Sequence, residues 1–116
     1  MTFLHAEEIL QKRCKPCEGG TKPLEPKQVQ AFLASLPGWS LADDGKSIRR
    51  EYKFKNFKEV IVFFNKIAQV SEEENHHPEL KIGYNRVVAE LSTHSIKGLS
   101  ENDFILAAKF DRAGGA

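Results

Sequence analysis

A chain of 116 residues is long enough for one hydrophobic core and too short for two. Its 17 Lys and Arg nearly balance 16 Asp and Glu, leaving a net charge of +1 with no basic cluster, so nucleic-acid binding by phosphate neutralisation is not indicated. The longest apolar runs, such as Val60-Ile61-Val62-Phe63-Phe64, are too short to span a bilayer. No basic stretch followed by an apolar one opens the chain, and two cysteines cannot make a disulfide framework. The expected location is the cytoplasm, with no membrane partner.

Residues 1–24 read as an N-terminal extension. Ala6, Ile9 and Leu10 have helical spacing over residues 5–13, and Cys14-Lys15-Pro16-Cys17-Glu18-Gly19-Gly20 reads as an irregular loop. The Cys-x-x-Cys pair lacks the strand-then-helix context of a redox motif, and a zinc site would need two more ligands, so an inert or structural loop is favoured. Pro26 suits the first turn of a helix whose apolar stripe is Val29, Phe32, Leu33 and Leu36, stopped by Pro37-Gly38. Two alternating segments, Trp39-Ser40-Leu41 and Ile48 to Phe54, flank Asp43-Asp44-Gly45-Lys46 and predict a hairpin with Leu41 opposite Ile48.

Asn56, with Glu59 three positions on, predicts a capped helix with Val60, Phe63, Phe64 and Ile67 inward, ending near Asn75 because Pro78 disfavours helical geometry at His77. A second hairpin is expected over 79–93, with Leu80 and Ile82 facing the same side as Val87, Ala89 and Leu91. Ser100 and Asp103 then start a last helix with Phe104, Ala107 and Ala108 inward. The order helix, hairpin, helix, hairpin, helix predicts an α+β fold: one four-stranded antiparallel sheet with helices on one face. A small sheet with an open edge also predicts pairing of copies, as a homodimer or homotetramer.

Three of the four histidines, His76, His77 and His94, fall within nineteen positions. Imidazole, with an unperturbed pKa of about 6.5, exchanges protons near neutral pH. If Ile82 opposes Val87, His94 falls opposite position 75; if Ile82 opposes Ala89, it falls opposite His77. Either register gathers the three at one end of the hairpin. Glu72, Glu73 and Glu74 crowd a helix C-terminus, where negative charge is disfavoured, and neighbouring imidazoliums would explain them. A metal is the competing reading, but adjacent histidines on extended chain point to opposite sides and no His-x-His or Glu-x-x-His spacing occurs, so no metal is expected. Asp103 has a sufficient role as a cap, and Trp39, after Pro-Gly at a strand start, reads most simply as core.

The run Glu72-x-x-Asn75-His76-His77-Pro78-Glu79, followed by Tyr84-Asn85-x-Val87, Leu91-Ser92-Thr93-His94 and Gly98-Leu99-Ser100-x-x-Asp103, resembles the pterin-4a-carbinolamine dehydratases. The resemblance runs from about Leu36 to Phe110, within a domain drawn at 25–112, and some members also carry a Cys-x-Pro-Cys segment upstream. It implies a hydro-lyase needing no cofactor, which dehydrates 4a-hydroxytetrahydropterin to quinonoid dihydropterin in tetrahydrobiopterin recycling. It further implies that His76, His77 and His94 are the catalytic residues, with His76 and His94 transferring protons and His77 mainly orienting or binding the pterin while sharing in catalysis. Glu72 and Asp103 would hold histidines or substrate, Ser92 and Thr93 would line the pterin edge through backbone groups, and Trp39 would stand near the pocket. Two departures stand out: Asn75 where many members have Asp, and Leu80 where many have Trp. The alternative is a non-catalytic pterin-binding or protein-interaction module, of the kind that stabilises a transcription-factor dimer.

Overall fold

The computed structural model describes residues 22–114; the helix expected over 5–13, His5 and the Cys14–Cys17 loop lie outside the described residues. The first described helix, α1 (Pro26–Ala34), starts as the sequence requires. Pro26 needs no N–H partner, and the Gln28 side chain accepts the Glu25 backbone N–H at 3.0 Å. Val29 and Phe32 of α1 are buried, and the stripe continues past the helix end to Leu36, which is 1% exposed.

The first hairpin has the expected register, Leu41 opposite Ile48, but its strands are unequal. Strand β1 (Ser40–Leu41) is two residues long, whereas β2 (Ile48–Lys53) has six. Between them Gly45 takes a positive φ of 72°, open to glycine without strain, and Asp44 Oδ1 accepts the Lys46 N–H at 2.9 Å. Ile48 is fully buried while Leu41, on the edge strand, stays partly exposed.

Helix α2 (Phe57–Glu74) is capped by Asn56, whose Oδ1 accepts the Glu59 N–H at 2.9 Å. The reciprocal bond goes elsewhere: Glu59 Oε1 accepts the N–H of Lys55, not that of Asn56. Val60, Phe63 and Ile67 are buried as expected, and Phe64 is half-buried. Strands β3 (Glu79–Gly83) and β4 (Arg86–Leu91) pair with Ile82 opposite Val87, the first of the two allowed registers. The sheet order is β1-β2-β4-β3, antiparallel throughout, which puts β2 and β4 at the centre.

One sheet face is apolar, with Ile48 and Tyr52 of β2 and Val87, Ala89 and Leu91 of β4 all buried. The other carries Arg49, Glu51, Lys53, Lys81 and Glu90, all exposed. The helices cover the apolar face. The last helix, α3 (Glu101–Ala113), is enclosed: every residue from Asn102 to Ala108 is buried, and so is Phe110. Its middle, Phe104 to Ala108, is apolar on every side, and the buried Asp103 at its start is held by hydrogen bonds. Its Phe104 stacks on Phe32 of α1 with centroids 4.8 Å apart.

The C-terminal end of α3 is tied to the first hairpin through one carboxylate. Asp111 Oδ1 accepts from Trp39 Nε1 at 3.1 Å and from the Tyr52 hydroxyl at 2.5 Å, and pairs with Arg50 Nη1 at 2.9 Å. Gly38 belongs to this arrangement, because a Cβ there would meet the Arg50 guanidinium at 2.4 Å. Burial, and then the bond to Asp111, push the Tyr52 phenol far above its ordinary value of 10.0.

A phenol with a raised folded-state pKa keeps its proton in the folded state after the unfolded chain has lost it. Its contribution is therefore complete below about pH 10 and lost above it. Stability should fall above that point by up to about 1.4 kcal/mol per pH unit, and Tyr52→Phe should flatten this slope in urea titrations read between pH 9 and 11.5. An unchanged slope in the variant would remove Tyr52 as its source.

Candidate active site

Helix α2 stops at an abrupt left-handed turn. Asn75 has φ 51° and ψ 42°, its N–H donates to the Glu72 carbonyl at 3.3 Å, and the His76 N–H donates to the Ser71 carbonyl at 3.1 Å. This is a helix-ending reversal that asparagine tolerates better than most residues, which gives Asn75 a conformational role apart from charge. Pro78 then commits the chain to extended geometry, so His76 and His77 emerge between helix and strand. Asn75→Gly should leave stability within a few tenths of a kcal/mol, whereas Asn75→Val should cost about 1–2 kcal/mol in thermal unfolding. Equal stabilities would show that the turn imposes no strain.

The two adjacent histidines point to different carboxylates. His76 Nε2 lies 2.7 Å from Asp103 Oδ1, with the His76 side chain 13% exposed and Asp103 fully buried. His77 Nε2 bonds Glu72 Oε2 at the surface. The remaining acids of the run also have partners: Glu73 accepts from Gln69 Nε2 at 3.0 Å, and Glu74 pairs with Lys109 of α3 at 2.9 Å. The acid-rich helix end is thus partly a histidine support and partly a link to α3.

Asp103 is the centre of a buried polar network. Its Oδ2 accepts the Ser100 N–H at 3.0 Å, closing the capping box, and also the Thr93 hydroxyl at 2.8 Å. The Ser100 hydroxyl in turn lies 2.8 Å from Thr93 Oγ1. With His76 on Oδ1, the carboxylate has three donors, the condition under which a buried charge is tolerated. Among the described residues no buried side-chain polar atom lacks a partner. A carboxylate can only accept here, so Asp103 takes a hydrogen bond from His76 Nε2–H, which leaves Nδ1 as the ring atom free to exchange protons.

Thr93, bonded to Asp103, leads directly into His94. Strand β4 ends at Leu91, and Thr93 and Gly98 form an isolated bridge that closes a small loop, within which His94–Ile96 make one 3-10 turn and Lys97 is left-handed at φ 55°. The loop passes close to Pro23: a Cβ on Gly98 would meet Pro23 Cβ at 2.8 Å. His94 is therefore exposed on a turn, not extended opposite residue 75 as strand pairing would have it. A cleft of about 240 Å³ opens here, lined by Ser92, Thr93 and His94 together with Lys46, Glu90 and Lys97.

The β3–β4 pairing ends with Glu79 opposite Glu90, which leaves His76 and His77 at the same end of the hairpin as Ser92 and Thr93. His76, Thr93, Ser100 and Asp103 form one hydrogen-bonded group with the His77–Glu72 pair beside it, and His94 follows Thr93 on the exposed turn. Trp39 stands apart: it is buried and bonded to Asp111, eight residues along α3 from Asp103, or about 12 Å. Thr93's backbone groups are already engaged, its N–H with the Gly98 carbonyl and its carbonyl with the N–H groups of Ile96 and Gly98. Its hydroxyl instead holds Asp103, a role that spacing did not reveal because the loop that returns Thr93 to Ser100 has no periodic signal. Among the described residues, no group of three or more His, Cys, Asp or Glu side chains is gathered as metal ligands would be. No helix among them is long and apolar enough to cross a membrane.

Fold and site together define a small α+β protein with a histidine–carboxylate pair suited to proton transfer. The family model for pterin 4 alpha carbinolamine dehydratase matches residues 22–113. A relative from Dechloromonas aromatica, named provisionally as a pterin-4-alpha-carbinolamine dehydratase, is 49% identical over 104 residues, covering 90% of this chain and 91% of its own. One from Nitrosospira multiformis, with the same provisional name, is 45% identical over 105 residues, covering 90% and 91%. Among solved structures, a transcriptional coactivator/pterin dehydratase from Brucella melitensis superposes with a TM-score of 0.78 at 35% identity, over 81% of this chain and all of that one. A pterin dehydratase-like protein described as a RuBisCO assembly factor of the alpha-carboxysome shares the fold, with a TM-score of 0.60 at 21% identity over 68% of this chain and 92% of that one. The chain belongs to the pterin-4a-carbinolamine dehydratase family.

Proposed function

We propose that this protein is a cytoplasmic hydro-lyase that dehydrates 4a-hydroxytetrahydropterin to quinonoid dihydropterin, and so acts in tetrahydrobiopterin recycling. The observation that carries the reading is the shared carboxylate: Asp103 holds His76 through Oδ1 and Thr93, the residue before His94, through Oδ2. The reading is supported by a cleft large enough for part of a bicyclic ring, lined by His94 and by Thr93, whose hydroxyl shares Asp103 with His76.

The reaction removes a proton from N5 and the hydroxyl from C4a, the latter leaving as water once protonated. The N5–H bond pair becomes the new double bond as the C4a–O bond breaks, so no electrons enter or leave. His76, with Nε2–H committed to Asp103, presents the Nδ1 lone pair and takes the N5 proton. His94, exposed and open to reprotonation by solvent, delivers a proton to the hydroxyl. Each transfer contributes about 10²–10⁴-fold. His77, steadied by Glu72, orients the ring, and Ser92 lines its edge. Trp39 acts through Asp111 by fixing the first hairpin, whose Lys46 borders the cleft. No metal or cofactor enters these steps.

Assembly into a homodimer or homotetramer fits the surface. Strand β3 is a sheet edge with exposed Ile82, Tyr84 is exposed in the turn after it, and α2 exposes Phe57, Ile61 and Val62. A transcriptional role like the one in the Brucella protein's name would use such surfaces without the histidines. The two roles separate in one experiment. Carbinolamine generated by a pterin-dependent hydroxylase should decay to quinonoid dihydropterin faster when this chain is added. Pterin binding or partner capture with no change in that rate would support a binding module instead.

A further inference from the structure

We infer that Glu74 and Lys109 are a positioning pair for His76, an inference that rests on the catalytic reading of His76 given above. Glu74 closes α2, where the helix dipole already disfavours negative charge, yet its side chain is only 4% exposed. Such a carboxylate needs a cation, and Lys109 Nζ supplies one at 2.9 Å from a side chain itself 16% exposed. Lys109 stands six residues after Asp103 on the same enclosed helix.

Helix α3 therefore holds the end of α2 at two points, Glu74 through Lys109 and His76 through Asp103. One residue, the left-handed Asn75, separates them. The His76 N–H still reaches back to Ser71, so the direction of its ring depends on the last turn of α2 staying wound. Releasing Glu74 frees that turn and moves the imidazole off Asp103. Lys109 borders the groove between α2 and α3, with Lys66, Val70 and Arg112, and does not line the cleft beside Ser92 and His94. It acts through His76, not on the substrate.

The test compares Lys109→Met, Lys109→Arg and the doubly apolar Glu74→Leu/Lys109→Met in the full chain, at a temperature where each is folded. Lys109→Met should lower kcat for dehydration by about 10- to 100-fold with KM nearly unchanged, the scale of a misplaced catalytic group. Lys109→Arg should recover kcat to within a few-fold of wild type. The double variant should regain thermal stability, since apolar groups can replace a buried pair, but should not regain kcat, because apolar contact has no direction. Nitrogen NMR of the His76 ring gives a readout independent of activity: the proton shared with Asp103 should weaken in Lys109→Met. Unchanged kcat per folded molecule in Lys109→Met, or wild-type kcat in the double variant, would reduce the pair to a structural one. If wild type shows no dehydration at all, the catalytic reading fails, and persistence of the His76 signal in Lys109→Met would then overturn the positioning claim separately.

Discussion

Replacing His76 by alanine is expected to lower the dehydration rate by about 10²–10⁴-fold, the range for losing one general acid or base. The variant also removes a donor from the fully buried Asp103 carboxylate. A parallel loss of about 1–3 kcal/mol in unfolding free energy is therefore expected. His76→Gln separates the two effects. Its amide can donate to Asp103 but cannot exchange a proton at neutral pH, so it should regain much of the stability and none of the rate. Initial rates of quinonoid dihydropterin formation, measured with urea unfolding of the same samples, check both.

Asp103→Asn should be nearly as damaging to the rate while leaving the fold intact. The Ser100 N–H is fixed by the helix start and can only donate, so the asparagine carbonyl must take the place of Oδ2. The amide NH2 then faces His76, where Oδ1 was. Two donors cannot share that contact, so His76 must present a bare Nε2 and carry its proton on Nδ1. That is the wrong tautomer for taking a proton from N5. A loss of roughly 10²–10⁴-fold is expected, as when a histidine's orienting carboxylate becomes an amide. Thr93, which also donates to Oδ2, keeps its acceptor, so thermal stability should change less than in Asp103→Ala, where three donors lose theirs. Equal rates in wild type and Asp103→Asn would show that the tautomer of His76 is irrelevant to the chemistry.

Much of this site is legible in the sequence, because it rests on local rules. Pro78 fixed where α2 must end, Ser100 and Asp103 announced the last helix, and pairing Leu80 and Ile82 with Val87 and Ala89 admitted only alternate registers, one of which is observed. Gathering His76, His77 and His94 at one end of a hairpin followed from that alternation. Opposite directions for the adjacent His76 and His77 also followed from alternation, but the pattern could not say which carboxylate each one meets. His76 turns inward to Asp103 of α3 and His77 outward to Glu72, where the chain leaves the left-handed Asn75.

Nor could alternation foresee that β4 stops at Leu91 and that His94 rides a 3-10 turn closed by Thr93 and Gly98. The Asp111 cluster and the Glu74–Lys109 pair join residues 35 to 72 positions apart, a separation at which spacing has no meaning. Trp39, a core residue by its local context, is indeed buried, and its indole N–H explains why a carboxylate waits beside it.

The most direct test compares wild type with the His76→Ala/His94→Ala double variant in the hydroxylase-coupled assay, under conditions where carbinolamine dehydration limits the overall rate. A paired acid–base site predicts that wild type accelerates quinonoid dihydropterin formation and that the folded double variant falls to the uncatalysed rate. A double variant as fast as wild type would contradict the histidine mechanism outright.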